Sequence, residues 1–110
     1  MNFKENLTNY LKNNLFDYLD SNVSIDNKLD RIFYKFDLLI TYEQWDIIKD
    51  IIDNVEITKY NEYILIAFLT TTLSCSEKLG ISRKNFYNKI EEEFKNRNIK
   101  DYKKLLEGLE

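Results

Sequence analysis

The chain has no histidine and no proline, a single cysteine, and only two glycines, Gly80 and Gly108, among its 110 residues. Each absence excludes something. Without His, neither a Ser-His nor a Cys-His nucleophile can be assembled, and zinc loses its usual ligands. Cys75 alone forms no internal disulfide, which fits a reducing compartment; its apolar neighbours make it read as a small buried residue. Too few turn formers are present for an all-β fold with its many tight turns. No carboxylate lies inside an apolar run that would raise its pKa, the acidic spacings lack the alternate-residue ligands and turn glycine of a calcium loop, and no glycine-rich phosphate loop occurs. The expectation is a protein that is not an enzyme and uses no cofactor and no metal. The longest apolar run, Tyr63 to Leu69, falls well short of the roughly 20 residues that span a bilayer. The opening MNFKENLTNY has no basic, apolar and small-residue succession of a secretory signal. A soluble, cytoplasmic protein without membrane association is expected.

What is present is helical periodicity. Hydrophobic residues make up 44% and charged residues 32%, enough apolar material for one folded domain of this length. Phe3, Leu7, Tyr10, Leu11, Leu15, Tyr18 and Leu19 recur at steps of three and four, the stripe of a first helix ending near Asp20. Ser24 or Asp26 caps a second helix with Leu29, Ile32, Phe33, Phe36, Leu39 and Ile40 on one face. Thr41-x-x-Gln44 spells a capping box for a third helix, with Trp45, Ile48, Ile52 and Val55 turned inward; helices two and three then form a tight antiparallel hairpin. Thr58 offers a cap to a fourth segment, apolar on every side, that reads as the central helix. From Tyr63 to Ser74 no Gly, Pro or Asn sets off the short first element that a helix-turn-helix needs, which predicts one long buried helix ended by Gly80. The β-branched cluster Thr70, Thr71 and Thr72 also suits a strand. After Gly80, Ser82 caps a fifth helix carrying Phe86, Ile90 and Phe94, and Tyr102, Leu105, Leu106 and Leu109 belong to a short sixth. The fold expected is all-α: a compact single domain over residues 1–110, of about five to six helices built from antiparallel helical hairpins.

One stretch has the form of a device, SEKLGISRKNFYNKI at residues 76 to 90. Cys75 and Ser76 are small enough for a helix crossing, Gly80 permits a turn, Ile81, Phe86 and Ile90 are anchors, and polar side chains fill the rest. Over residues 72 to 90 the segment resembles the helix-turn-helix of the inversion-factor class of bacterial nucleoid proteins, where a Leu-Gly-Ile-Ser-Arg run likewise leads into a Tyr and a basic residue. The resemblance implies that Ser82 touches phosphate and that Arg83, Lys84, Asn85, Asn88 and Lys89 face the DNA groove. Glu91, Glu92 and Glu93 follow at once.

Charge is unevenly distributed. Residues 1–75 hold seven basic and twelve acidic side chains, residues 76–104 nine and five, and the whole chain carries a net charge of -3. Glu43, Asp46, Asp50 and Asp53, spaced by three and four, would line one exposed face of the third helix. Such a stripe suits a basic protein partner, as an immunity protein or inhibitor presents acids to a nuclease. The triple glutamate and the net negative charge weigh against a polyanion. From sequence, the leading reading is therefore a protein-protein interaction module of the immunity, antitoxin or inhibitor type, with sequence-specific DNA binding through residues 72 to 90 as the alternative. The oligomeric state is not encoded in any pattern found.

Overall fold

The computed structural model describes residues 3–109, with side chains from Asn9 onward, so the expected stripe positions Phe3 and Leu7 lie outside the described side chains. The described residues are all-α, without strands. They divide into two compact units, Met1–Val55 and Glu56–Glu110.

In the first unit α1 (Phe3–Leu19), α2 (Ile25–Thr41) and α3 (Trp45–Asp53) each pack on the other two. Ser24 caps α2, its hydroxyl accepting the Asn27 N–H at 3.2 Å, which replaces one partner the first helical turn lacks. Ile32, Phe36 and Leu39 are the buried positions of α2, and Ile47, Ile48, Ile51 and Ile52 those of α3. Several side chains depart from expectation. Tyr10, placed on the apolar stripe of α1, is 65% exposed. Phe33 is 44% exposed, because it stands on the flank of the Ile32 and Phe36 stripe. Trp45, in the first turn of α3, is only half-buried, so Trp45→Ala should cost less than the ~3–5 kcal/mol of a fully buried Trp.

The Thr41-x-x-Gln44 capping box does not form. Thr41 is the last residue of α2, and Gln44, the N-cap of α3, makes no capping bond. Instead α2 ends in a left-handed turn. Glu43 adopts φ 55, its N–H donates to the Ile40 carbonyl at 3.0 Å, and the Gln44 N–H donates to the Leu39 carbonyl at 2.8 Å. Two otherwise orphaned helix-end carbonyls are thereby satisfied.

The second unit contains a 3-10 turn (Ile57–Lys59), α4 (Glu62–Ser74), α5 (Ser76–Leu79), α6 (Arg83–Asn96) and α7 (Tyr102–Leu105). Asn61, not Thr58, caps α4, accepting the Ile64 N–H at 3.0 Å. Most side chains of α4 from Ile64 to Leu73 are buried, with Ile66 and Thr70 half-buried in line with the exposed Tyr63 and Ser74, and α4 packs on α6 through a core that includes Ile90 and Phe94. Phe86 and Tyr87 are half-buried beside them. At the far end of α6, Arg97 makes two bonds in different directions. Its Nε pairs with Glu93 Oε2 at 2.7 Å, and its Nη2 donates to the Ile57 carbonyl at 2.9 Å. The fork geometry of a guanidinium permits both at once; an ammonium cannot reproduce it. Arg97→Ala should lower stability by about 1–3 kcal/mol in urea titration, and Arg97→Lys should recover less than half of that. A wild-type midpoint in Arg97→Lys would mean that a single bond suffices.

Candidate functional site

The expected long helix through Ser74 and Cys75 is broken. Cys75, at φ -131, ends α4, and the one-turn helix α5 begins at Ser76. No Gly or Pro causes this; hydroxyls do. Thr71 Oγ1 donates back to the Ala67 and Phe68 carbonyls at 3.0 Å, and Ser74 Oγ to the Thr71 carbonyl at 2.7 Å. Ser76 Oγ and an Arg83 guanidinium nitrogen reach the Leu73 carbonyl in long contacts of 3.5 and 3.4 Å. Side chains thus offer the backbone carbonyls an alternative to the helical ladder, and the run Thr70-Thr71-Thr72-Leu73-Ser74-Cys75-Ser76 is the signal for the break. Burial pushes the Cys75 thiol up from its ordinary pKa, against a smaller lowering by a Ser74 hydrogen bond. The sulfur therefore stays protonated near neutrality.

The turn after α5 takes the form its sequence suggests. Gly80 adopts φ 69, its N–H donates to the Glu77 carbonyl, and the Ile81 N–H donates to the Ser76 carbonyl at 3.2 Å, the paired closure of a glycine-ended helix. Ser82 then caps α6, accepting the Asn85 N–H at 3.2 Å. Short helix, left-handed Gly, Ser cap and 14-residue helix follow one another.

Along α6 the side chains sort by the helical period. Ile90 and Phe94 are buried, while Lys84, Asn85, Asn88, Lys89 and Glu92 are exposed on the opposite side. Arg83 is exposed too, but it lies on the line of Ile90 and Phe94, with its guanidinium against the Leu73 carbonyl. It fits the outward set expected from sequence less well than its neighbours. Of the triple glutamate, Glu91 has Lys95 at 3.7 Å and Glu93 has Arg97 at 2.7 Å, leaving Glu92 on the outer face. Arg83, Lys84, Tyr87, Asn88 and Glu91 line a concavity of about 470 Å³ along one flank of this helix.

Of the acidic stripe expected on α3, Asp46, Asp50 and Asp53 share one face of the helix and Glu43 does not belong to it. Glu43 lies in the turn before α3. Asp50 is half-buried, with Lys12 of α1 at 3.2 Å from its Oδ2 and the Asn54 amide donating to its carbonyl at 2.7 Å. Although Oδ2 lacks a partner of hydrogen-bond geometry, the ammonium is close enough to neutralise it, and we read the pair as a link between α1 and α3. Asp46 and Asp53 remain exposed on α3, with Lys49 between them.

The chain matches no family model, no curated protein and no solved structure.

Two substitutions test this local physics. Glu43 holds a left-handed conformation that favours Gly, so Glu43→Gly should stabilise the protein by about 0.5–1 kcal/mol in a thermal melt. Thr72 Oγ1 is buried without a hydrogen-bond partner among the described residues, so Thr72→Val should be neutral or stabilising by up to about 1 kcal/mol. A clear loss of stability in Thr72→Val would mean that the hydroxyl is bonded.

Proposed function

We propose that the protein binds double-stranded DNA sequence-specifically, with α6 as the reading helix, and acts as a transcription regulator in the compartment that holds the DNA. The observation carrying this is the outer face of α6, where Lys84, Asn85, Asn88 and Lys89 project with no side-chain hydrogen bond or ion pair among the described residues. Amides pair bidentately with adenine in the major groove, and lysines with guanine or phosphate. Ser82 and the free N–H groups of the first α6 turn offer a phosphate seat.

Two reasons for preferring protein recognition have weakened. The helix ahead of the turn is interrupted at Cys75, so a short element does precede Gly80. Two of the three glutamates are held by cations of the same helix. The acidic stripe, by contrast, has lost Glu43 to a turn and Asp50 to Lys12. No helix among the described residues is long and apolar enough to cross a membrane.

Few cations face outward, so the salt dependence should be shallow. Selection of bound fragments from a random duplex library should yield a short motif, and a plot of log K against log salt should have a slope of roughly -2 to -3, for two or three phosphate contacts. Asn85→Ala and Asn88→Ala should each relax the motif by about 1–3 kcal/mol at one position. Lys89→Ala should weaken all sequences alike and flatten the slope by about one. Recovery of no motif, or equal binding by the Asn85→Ala/Asn88→Ala double variant, would sink the proposal.

A further inference from the structure

The outer face of α6 holds one side chain that the proposed function leaves unused. Glu92 is exposed and makes no side-chain hydrogen bond or ion pair among the described residues, whereas Glu91 and Glu93 on either side of it pair with Lys95 and Arg97. Its charge is therefore still available.

The helical period places it. Asn85, Asn88 and Glu92, at steps of three and four, stand in one line along the exposed side of α6. At about 100° per residue, Lys84 and Lys89 fall roughly 70° to either side of that line. A helix laid in the major groove turns the middle of its outer face to the base edges and its margins to the phosphates of the two strands. Lysines at both margins suit phosphates, and the middle line is where sequence is read. From Asn85 to Glu92 the helix rises about 10 Å, the length of roughly three base pairs. One short site therefore lies within reach of all three side chains.

A carboxylate on that line accepts hydrogen bonds and donates none. Guanine presents two acceptors to the major groove, and thymine one acceptor and a methyl group, so neither answers it. Adenine offers an amine but sets its N7 acceptor beside it, which repels the second carboxylate oxygen. Cytosine offers its amine alone. We propose that Glu92 sets the sequence preference of α6 at one position by selecting cytosine, accepting a hydrogen bond from the N4 amine; the inference rests on α6 being the reading helix. The phosphates repel the carboxylate at every sequence and only a cytosine amine offsets this, so Glu92 adds discrimination rather than affinity. Asn88 and Glu92 stand about 6 Å apart along the helix axis, which sets the cytosine about two base pairs from the base that Asn88 reads.

The test carries out the duplex selection with the full chain as wild type, Glu92→Ala and Glu92→Gln, then titrates single-base variants of the recovered motif. Both substitutions lie at an exposed helix position, and circular dichroism melts should be unchanged. The wild-type motif should contain a cytosine about two base pairs from the position that Asn88→Ala relaxes, preferred about tenfold or more over the other bases. Glu92→Ala should lose that preference at that position alone, while binding unrelated DNA more tightly. Glu92→Gln should transfer the preference to adenine, since an amide pairs with adenine N6 and N7. A motif identical in all three proteins, with every sequence bound more tightly by the two variants, would overturn the proposal and make Glu92 only a repulsive surface charge. That outcome keeps the Asn85 and Asn88 positions of the motif, whereas a wild type that recovers no motif would remove the reading helix and the role of Glu92 with it.

Discussion

Where α4 stops, at Cys75, backbone carbonyls that a continuing helix would have bonded need other partners. Buried carbonyls without partners cost on the order of 1–3 kcal/mol each, so a break inside an apolar environment persists only if something local satisfies them. Here Ser74, Ser76 and Arg83 supply donors to the Thr71 and Leu73 carbonyls, and the Cys75 N–H closes on the Thr72 carbonyl. The orientation of everything that follows depends on this arrangement. With the chain released from the α4 direction, one further turn of helix suffices to reach Gly80, whose left-handed conformation redirects the backbone into α6. Were α4 to run on through Ser76, the Ser82 cap would emerge at a different angle and Ile90 and Phe94 could not meet α4 as they do.

Arg97 closes the opposite end of the same helix. One guanidinium both neutralises Glu93 and holds the carbonyl of Ile57, so α6 is fixed at its start by a hydroxyl cap and at its end by a tether to the segment that precedes α4. A helix held at both ends presents its outer face in one orientation. That rigidity is what a recognition surface requires, since positional slack in the reading side chains loses discrimination first.

The sequence revealed those features whose physics is local. Ser24, Gly80 and Ser82 act where the pattern puts them, because a cap or a left-handed turn needs only its own neighbours. The buried stripes of α2 and α3 were legible from periodicity, although Phe33 and Trp45 were not, since a period cannot say how wide a buried face is. Thr41-x-x-Gln44 failed because the run Leu38-Leu39-Ile40 keeps α2 helical through Thr41, and the Glu43 and Gln44 N–H groups then close on Ile40 and Leu39. The break at Cys75 had a signal, the cluster of hydroxyls from Thr70 to Ser76, but such residues also occur inside unbroken helices. The pairing of Asp50 was not legible for a different reason. Its partner Lys12 lies on another helix, and pattern reading along one helix cannot see across the fold.

The same limit applies to every charged residue of the chain. An acidic residue serves recognition only if its charge is still available after folding, and folding takes up Asp50 on α3 but leaves Asp26, Asp30 and Asp37 without a side-chain partner among the described residues. The same criterion separates the glutamates after Ile90 from the lysines before it: Glu91 and Glu93 have cations at one helical turn, while Lys84 and Lys89 have no carboxylate within pairing distance among the described residues. Net charge by segment averages over these pairs, and so describes each surface less well than its unpaired charges do. Counting only charges that the fold leaves unpaired, the outer face of α6 presents Lys84 and Lys89 beside the amides of Asn85 and Asn88, with Glu92 among them.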